Sequence, residues 1–212
     1  MRQIDKKTTE IKKELQSLMK DVVNIYQNLY ECIDDCDDDC LKSVIKNDKD
    51  VNKKELDLNE MIVEYIATFS PLATDLREAI SYLKIANDLE RIADYTTNIA
   101  KIFRRSVNFS SYEIKKIKYG ISLVLEFLEG VSTIIDNFST TLAYELVEND
   151  KELDDLYKNF YSEQIMNFNK ERDVEAIIST VSILKYLERA GDHIVNIVEQ
   201  MIYAQRGKYV NL

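Results

Sequence analysis

Only 4 glycines and 1 proline punctuate these 212 residues, too few turn formers for a sheet protein of this length. The chain must therefore run in long helices joined by a small number of loops. Ile4, Ile11, Leu15, Leu18, Val22 and Ile25 keep helical spacing and predict a first helix over about 4–33. A second is expected over about 41–69, because Ser70 precedes Pro71 and the residue before proline avoids helical dihedrals. Pro71 suits a first helical turn, which places the start of a third helix there and its end near Arg105. Asn108-Phe109-Ser110-Ser111 supplies loop and N-cap residues ahead of Glu113 and Ile114. One continuous fourth helix is read from about Tyr112 to Val147. Glu148-Asn149-Asp150 opens a fifth that ends near Phe168, Asn169-Lys170 turn the chain, and a sixth runs to about Gln205 before Gly207.

The chain repeats itself. Sliding it by 98 positions lays Asp75–Ile99 over Asp173–Ile197 with 10 of 25 positions identical. Asn47-Asp48 matches Asn149-Asp150 at an offset of 102, so the second copy has a slightly shorter hairpin. The expected architecture is all-α, two tandem three-helix bundles related by internal duplication, over 1–107 and 108–212.

Each copy contains Glu-Arg-x-x-Asp-x-x-x-Asn: Glu90, Arg91, Asp94 and Asn98, then Glu188, Arg189, Asp192 and Asn196. Spacings of four put the Glu, Asp and Asn on one helix face, one turn apart. On the preceding helix Asp48 and Asn52, and in the second copy Asp150 and Asp154, are also four apart. Pro71 lies about twenty residues from either set, so both stand roughly 30 Å from the turn and level with each other on antiparallel neighbours. Asn169-Lys170 gives the second copy the same arithmetic. An all-oxygen anionic cluster suits hard or borderline cations such as Mg²⁺, Mn²⁺, Ca²⁺, iron or Zn²⁺. The competing reading is of solvated carboxylates held by Arg91, Arg189 and nearby lysines. Asn52, Asn98 and Asn196 are placed as supporting neighbours in either case.

Charge narrows the partners. Lysine and arginine number 28 against 38 acids, a net charge of 28 − 38 = −10. Such a surface suits neither nucleic acid, whose binding needs clustered cations, nor an anionic bilayer. Soluble cations or a basic patch on a protein match it better. The opening MRQIDKKTTEIKKEL is charged throughout, and no stretch nears the roughly 18 apolar residues of a spanning helix. A cytoplasmic location is expected.

At LKIANDLERIADYTTNIAK (83–101) and ILKYLERAGDHIVNIVEQMIYAQRG (183–207) the chain resembles the signature helices of the PhoU family. These carry an Asp/Glu-x-x-x-Asp motif in Leu-Glu-Arg-x-Gly-Asp context. Ser70-Pro71-Leu72-Ala73-Thr74-Asp75-Leu76-Arg77 resembles that family's turn into its third helix, and Met1-Arg2 with Leu15, Leu18-Met19 and Val22 fits its start. The resemblance implies two three-helix bundles with metal on their acidic faces. The candidate ligands are Glu90, Asp94 and Asp48 in one copy, and Glu188, Asp192, Asp150 and Asp154 in the other. Asn52 departs from the pattern where a carboxylate is expected, which weakens the first site. The resemblance further implies an adaptor that represses phosphate-starvation signalling, coupling the ATPase subunit of a phosphate ABC transporter to a sensor histidine kinase. Contact with the membrane would come only through those partners, and a homodimer is an open alternative. A module serving another anion or sodium–phosphate carrier, and a carboxylate–metal hydrolytic bundle, are the other readings.

Remaining motifs point elsewhere or nowhere. Cys32, Cys36 and Cys40 would line one face of a continuous helix, but no fourth ligand completes a soft-metal site and the surrounding aspartates disfavour thiolates. Three is also an odd number for a disulfide framework, so no such framework is expected. The aspartate run at 34–39 lacks the glycine and terminal Glu of a calcium loop and reads as a solvated acidic turn. His193 is the only histidine, too few for a Glu-x-x-His di-iron bundle. No nucleophile motif points at it, and no glycine-rich phosphate loop occurs. No catalytic residue is assigned.

Overall fold

The computed structural model of the chain describes residues 3–35, 37–105, 107–148, 150–166, 173–208, 210 and 212. Met1, Arg2, Cys36, Asn149, Phe168, Asn169 and Lys170, on which part of the sequence reading rests, lie outside them. Among the described residues every regular element is an α-helix: α1 (Gln3–Asp35), α2 (Asp38–Phe69), α3 (Thr74–Phe103), α4 (Ser111–Asp136), α5 (Thr140–Val147), α6 (Asp150–Met166) and α7 (Val174–Arg206).

The first three helices form one bundle and α4–α7 the other; α3 lies against α7 and α1 against α4, so a single core runs through both. The α1 stripe of Ile11, Leu15, Leu18, Met19, Val22 and Leu29 is buried, as its spacing requires. Tyr26 is buried with it and donates its hydroxyl proton to the carbonyl of Ile92 at 3.1 Å, which satisfies the one polar atom brought inside. Across the seam between bundles Tyr95 stacks on Tyr186, with ring centroids 5.8 Å apart.

Three expectations are corrected. The fourth helix is not continuous: α4 stops at Asp136 and α5 begins at Thr140, with Asn137 extended and the Ser139 hydroxyl accepting from the amide of Leu142. Lys12 donates to the freed carbonyl of Asp136 and Gln16 to its carboxylate, so α1 stabilises the break from outside the helix. Helix α3 starts at Thr74 rather than Pro71. Ser70 closes α2 in the left-handed conformation, and Ala73, also at positive φ (49°), is the N-cap of α3, so no right-handed helical turn runs through the residues between them. Finally, Cys32 and Cys40 are joined by a disulfide with Cα atoms 5.6 Å apart. The chain reverses between α1 and α2, so these cysteines meet across a turn instead of lining one helix.

The acidic turn behaves as expected in part. Asp37 caps α2, Asp38 pairs with Arg104 at 2.6 Å, and Asp34 pairs with Lys118 across the bundle seam. At α4, Ser110 and Glu113 form a reciprocal capping box.

Candidate metal centre

In the second copy α6 and α7 bring the expected carboxylates within electrostatic reach of one another. Asp150 opens α6, and α7 presents Gly191 directly beneath it: a Cβ at that glycine would lie 2.6 Å from Asp150 Oδ1. The missing side chain lets the two helices approach closely enough for their carboxylates to feel one another. Burial, then the charges of Asp192, Asp154 and Glu188, push Asp150 up to about 6, and Lys158 partly offsets them. Asp192 is raised by burial and by Glu188 and Asp154, with Lys185 and His193 acting the other way. Asp150 Oδ1 is buried and accepts no hydrogen bond.

The first copy repeats the arrangement with different surroundings. Asp48 is only 6% exposed, and its Oδ1 is buried and unpartnered. Burial and Asp94 raise its pKa, while the Thr97 hydroxyl and Lys101 partly offset them. Glu90 is raised by burial and by Asp94, Glu55 and Asp48, against Arg91. Asn52 also carries a buried, unpartnered Oδ1. Asn98 donates to Asp94 at 3.2 Å, the supporting part expected of it, whereas Asn196 stands exposed on α7.

On the second ridge lysines, rather than arginines, pair with the acids. Lys185 meets Glu188 at 2.6 Å and Lys158 meets Asp154 at 2.5 Å. Arg91 reaches its neighbour Glu90 only at 3.5 Å, and Arg189 is exposed near Tyr95, where it partly offsets the burial that raises the phenol's pKa. Both lysines were legible as i,i+4 and i,i−3 neighbours of the acids. Glu55, one turn beyond Asn52, was legible in the same way and was missed. Asp88 was not: it meets His193 Nδ1 at 2.8 Å across 105 positions of sequence.

The donors suit a hard cation in kind, being carboxylate oxygens with buried lone pairs left open at Asp48 and Asp150. Among the described residues, however, no three or more His, Cys, Asp or Glu side chains are gathered closely enough to hold a metal ion. Lysine ammonium groups occupy part of that ground instead.

A duplicated helical scaffold with a carboxylate ridge on each hairpin belongs to the class of two-repeat helical bundles that offer surfaces, with sites on the outside of packed helices. Within that class the chain belongs to the PhoU family, whose PhoU domain matches residues 15–103 and again 121–201. It is similar to a phosphate-specific transport system accessory protein PhoU homolog of Clostridium acetobutylicum, 31% identical over 178 residues, 80% of this chain and 78% of that one. The homolog so described from Borreliella burgdorferi is 26% identical over 219 residues, 100% of this chain and 98% of its own. The fold is that of the phosphate transport system regulatory protein PhoU from Streptococcus pneumoniae, with TM-score 0.91 at 22% identity over 99% of this chain and 100% of that one. PhoU from Pseudomonas aeruginosa gives TM-score 0.88 at 25% identity over 97% and 100%.

Proposed function

We propose that this chain is a cytoplasmic, non-enzymatic regulator of phosphate transport that restrains phosphate uptake and starvation signalling. In this reading it couples the ATPase subunit of a phosphate ABC transporter to a sensor histidine kinase, with divalent metal or iron bound on its acidic faces. Support for the transport role comes from relatives described as phosphate-specific transport accessory proteins over most of their length. That among the described residues no helix is long and apolar enough to cross a membrane accords with action through partners.

The observation that carries the metal part is the pressure on Asp150 and Asp192, each raised by burial and by the neighbouring charges of Glu188 and Asp154. Two carboxylates whose proton affinity is raised by burial and by acidic neighbours constitute a standing demand for positive charge. Lys158 and Lys185 meet it in part, and a Mg²⁺, Mn²⁺, Fe²⁺ or Zn²⁺ ion would compete with them for Asp154 and Glu188. In the first copy Asp48, Glu90 and Asp94 would hold the ion with one formal charge fewer at Asn52. A bound ion neutralises the ridge and so fixes the charge of the surface offered to a partner.

Deleting the gene tests the regulatory part: starvation-induced phosphatase should stay on in high phosphate, and unchanged repression would count against the assignment. Metal analysis of purified protein, with Asp150→Asn and Asp192→Asn beside the native chain, tests the metal part separately. Bound metal should fall in the variants. Native protein that takes up no divalent ion in titration calorimetry removes the metal from the scheme while leaving the transport role in place.

A further inference from the structure

The bridge between Cys32 and Cys40 stands against the cytoplasmic placement proposed above, because thiol pools there keep cysteines reduced. Disulfides that do form in that compartment are chiefly transient, catalytic or redox-sensing. The two sulfurs differ in access. Cys32 is 2% exposed and belongs to the core with Ile33. Cys40 is half-buried in the first turn of α2, beside the exposed Asp38 and Asp39. An attacking thiolate therefore meets Cys40 first, with Cys32 as the leaving group.

The bridge closes a ring over residues 32–40, and two ion pairs to other helices leave from inside that ring. Asp34 pairs with Lys118 of α4. Lys118 also lies over the Tyr30 ring, 4.1 Å from its centroid, so α1 holds it from two sides. Asp38 pairs at 2.6 Å with Arg104, the C-cap of α3. Exposed ion pairs contribute little alone, because two side chains and their backbone must be held in one geometry. A closed ring restricts the backbone between its ends and removes part of that cost. The state of the bridge thus sets how firmly the α1–α2 turn holds α4 and the end of α3.

We infer that Cys32–Cys40 is a reversible oxidation site, exchanging with a cellular thiol–disulfide couple, and that its reduction loosens the turn's hold on α3 and α4. In reduction, a thiolate attacks Cys40 Sγ, the S–S bond breaks, and Cys32 leaves as a thiolate that takes up a proton. A second thiolate then displaces Cys40 from the mixed disulfide. Two electrons pass to the protein, its two sulfurs become thiols, and the reductant departs as a disulfide. Oxidation runs the same steps in reverse, with a disulfide as electron acceptor. The site rests on the cytoplasmic placement and is independent of metal on the acidic ridges.

The test equilibrates the purified full chain in glutathione buffers running from wholly oxidised to strongly reducing. Alkylation and mass spectrometry then count the bridged fraction, which should fall from nearly complete to nearly none. Amides of residues 33–42 and 101–105 should exchange hydrogen at least about tenfold faster in the reduced chain, with the middle of α7 unchanged. Cys40→Ser should match the reduced chain in every buffer, and Cys36→Ser should respond as the native chain does. A bridge that survives the most reducing buffer is a permanent staple, and one that never forms has nothing to exchange; either overturns the site. Equal exchange rates in the bridged and reduced turn overturn the loosening. None of these results touches the transport role. In cells, the thiols should be free during growth and bridged after treatment with the thiol oxidant diamide. A complete bridge in untreated cells ends both the cytoplasmic placement and the switch, and free thiols before and after diamide end the switch alone.

Discussion

Asp150→Asn should make the protein more stable at neutral pH, although it removes a charged side chain from the candidate metal centre. Burial and three neighbouring carboxylates raise Asp150 from 3.8 to about 6. That gap is worth about 3 kcal/mol if fully expressed; Asp150 is only partly buried, and solvent screening reduces the figure to about 1–2 kcal/mol. Because the folded pKa is raised, the folded state holds the proton more tightly than the unfolded chain. Stability attributable to this group is therefore greatest below about 3.8, falls as pH rises through about 6, and is lowest above that. The asparagine variant carries no such loss. In chelator and low salt, urea unfolding at pH 7.5 should show it about 1–2 kcal/mol more stable than the native chain, or about 2–8 °C in a thermal melt. At pH 4 the difference should shrink to a few tenths of a kcal/mol, on the order of a fifth of its size at pH 7.5. An equal or lower stability at pH 7.5, or a gain of the same size at both pH values, refutes the electrostatic account of the ridge.

Gly191→Ala should destabilise by about 1–3 kcal/mol in urea unfolding, since its Cβ would meet Asp150 Oδ1 at 2.6 Å and Leu153 Cδ1 at 3.0 Å; native stability would mean that α6 shifts freely. Ser110→Ala, which removes one half of the capping box on α4, should cost about 1 kcal/mol by the same measurement. Reduction should lower stability by about 2.5 kcal/mol, the loop-closure value for two cysteines 8 residues apart. Three free thiols in unreduced protein, counted by a colorimetric thiol reagent, would contradict the bridge.

Where backbone chemistry is local, the sequence was a sufficient guide. The shortage of glycine and proline forced long helices, and the run Asn108–Ser111 ahead of Glu113 marked the start of α4, where the structure makes Ser110 the cap. The break at residues 137–139 was less visible. Asn137 and Ser139 are cap residues in hindsight, but the same types occur inside helices, and it is Lys12 and Gln16, more than a hundred positions away, that engage the freed groups of Asp136. The disulfide escaped for a similar reason: counting cysteines says nothing of a reversal that sets Cys32 beside Cys40.

At the acidic ridges the division is sharper. Spacing of four along each helix, and the repeat itself, already put Glu90, Asp94, Glu188, Asp192, Asp150 and Asp154 at one level, because helical rise and period are fixed by the backbone. How far those side chains are buried, that Lys158 and Lys185 take their charge, and that Asp88 reaches His193 depended on how helices pack sideways. Helix geometry is periodic and can be read from a string of residues. The distance between two helices is set by whatever side chains meet there, as the bare Cα of Gly191 beneath Asp150 shows, and only the folded core decides it.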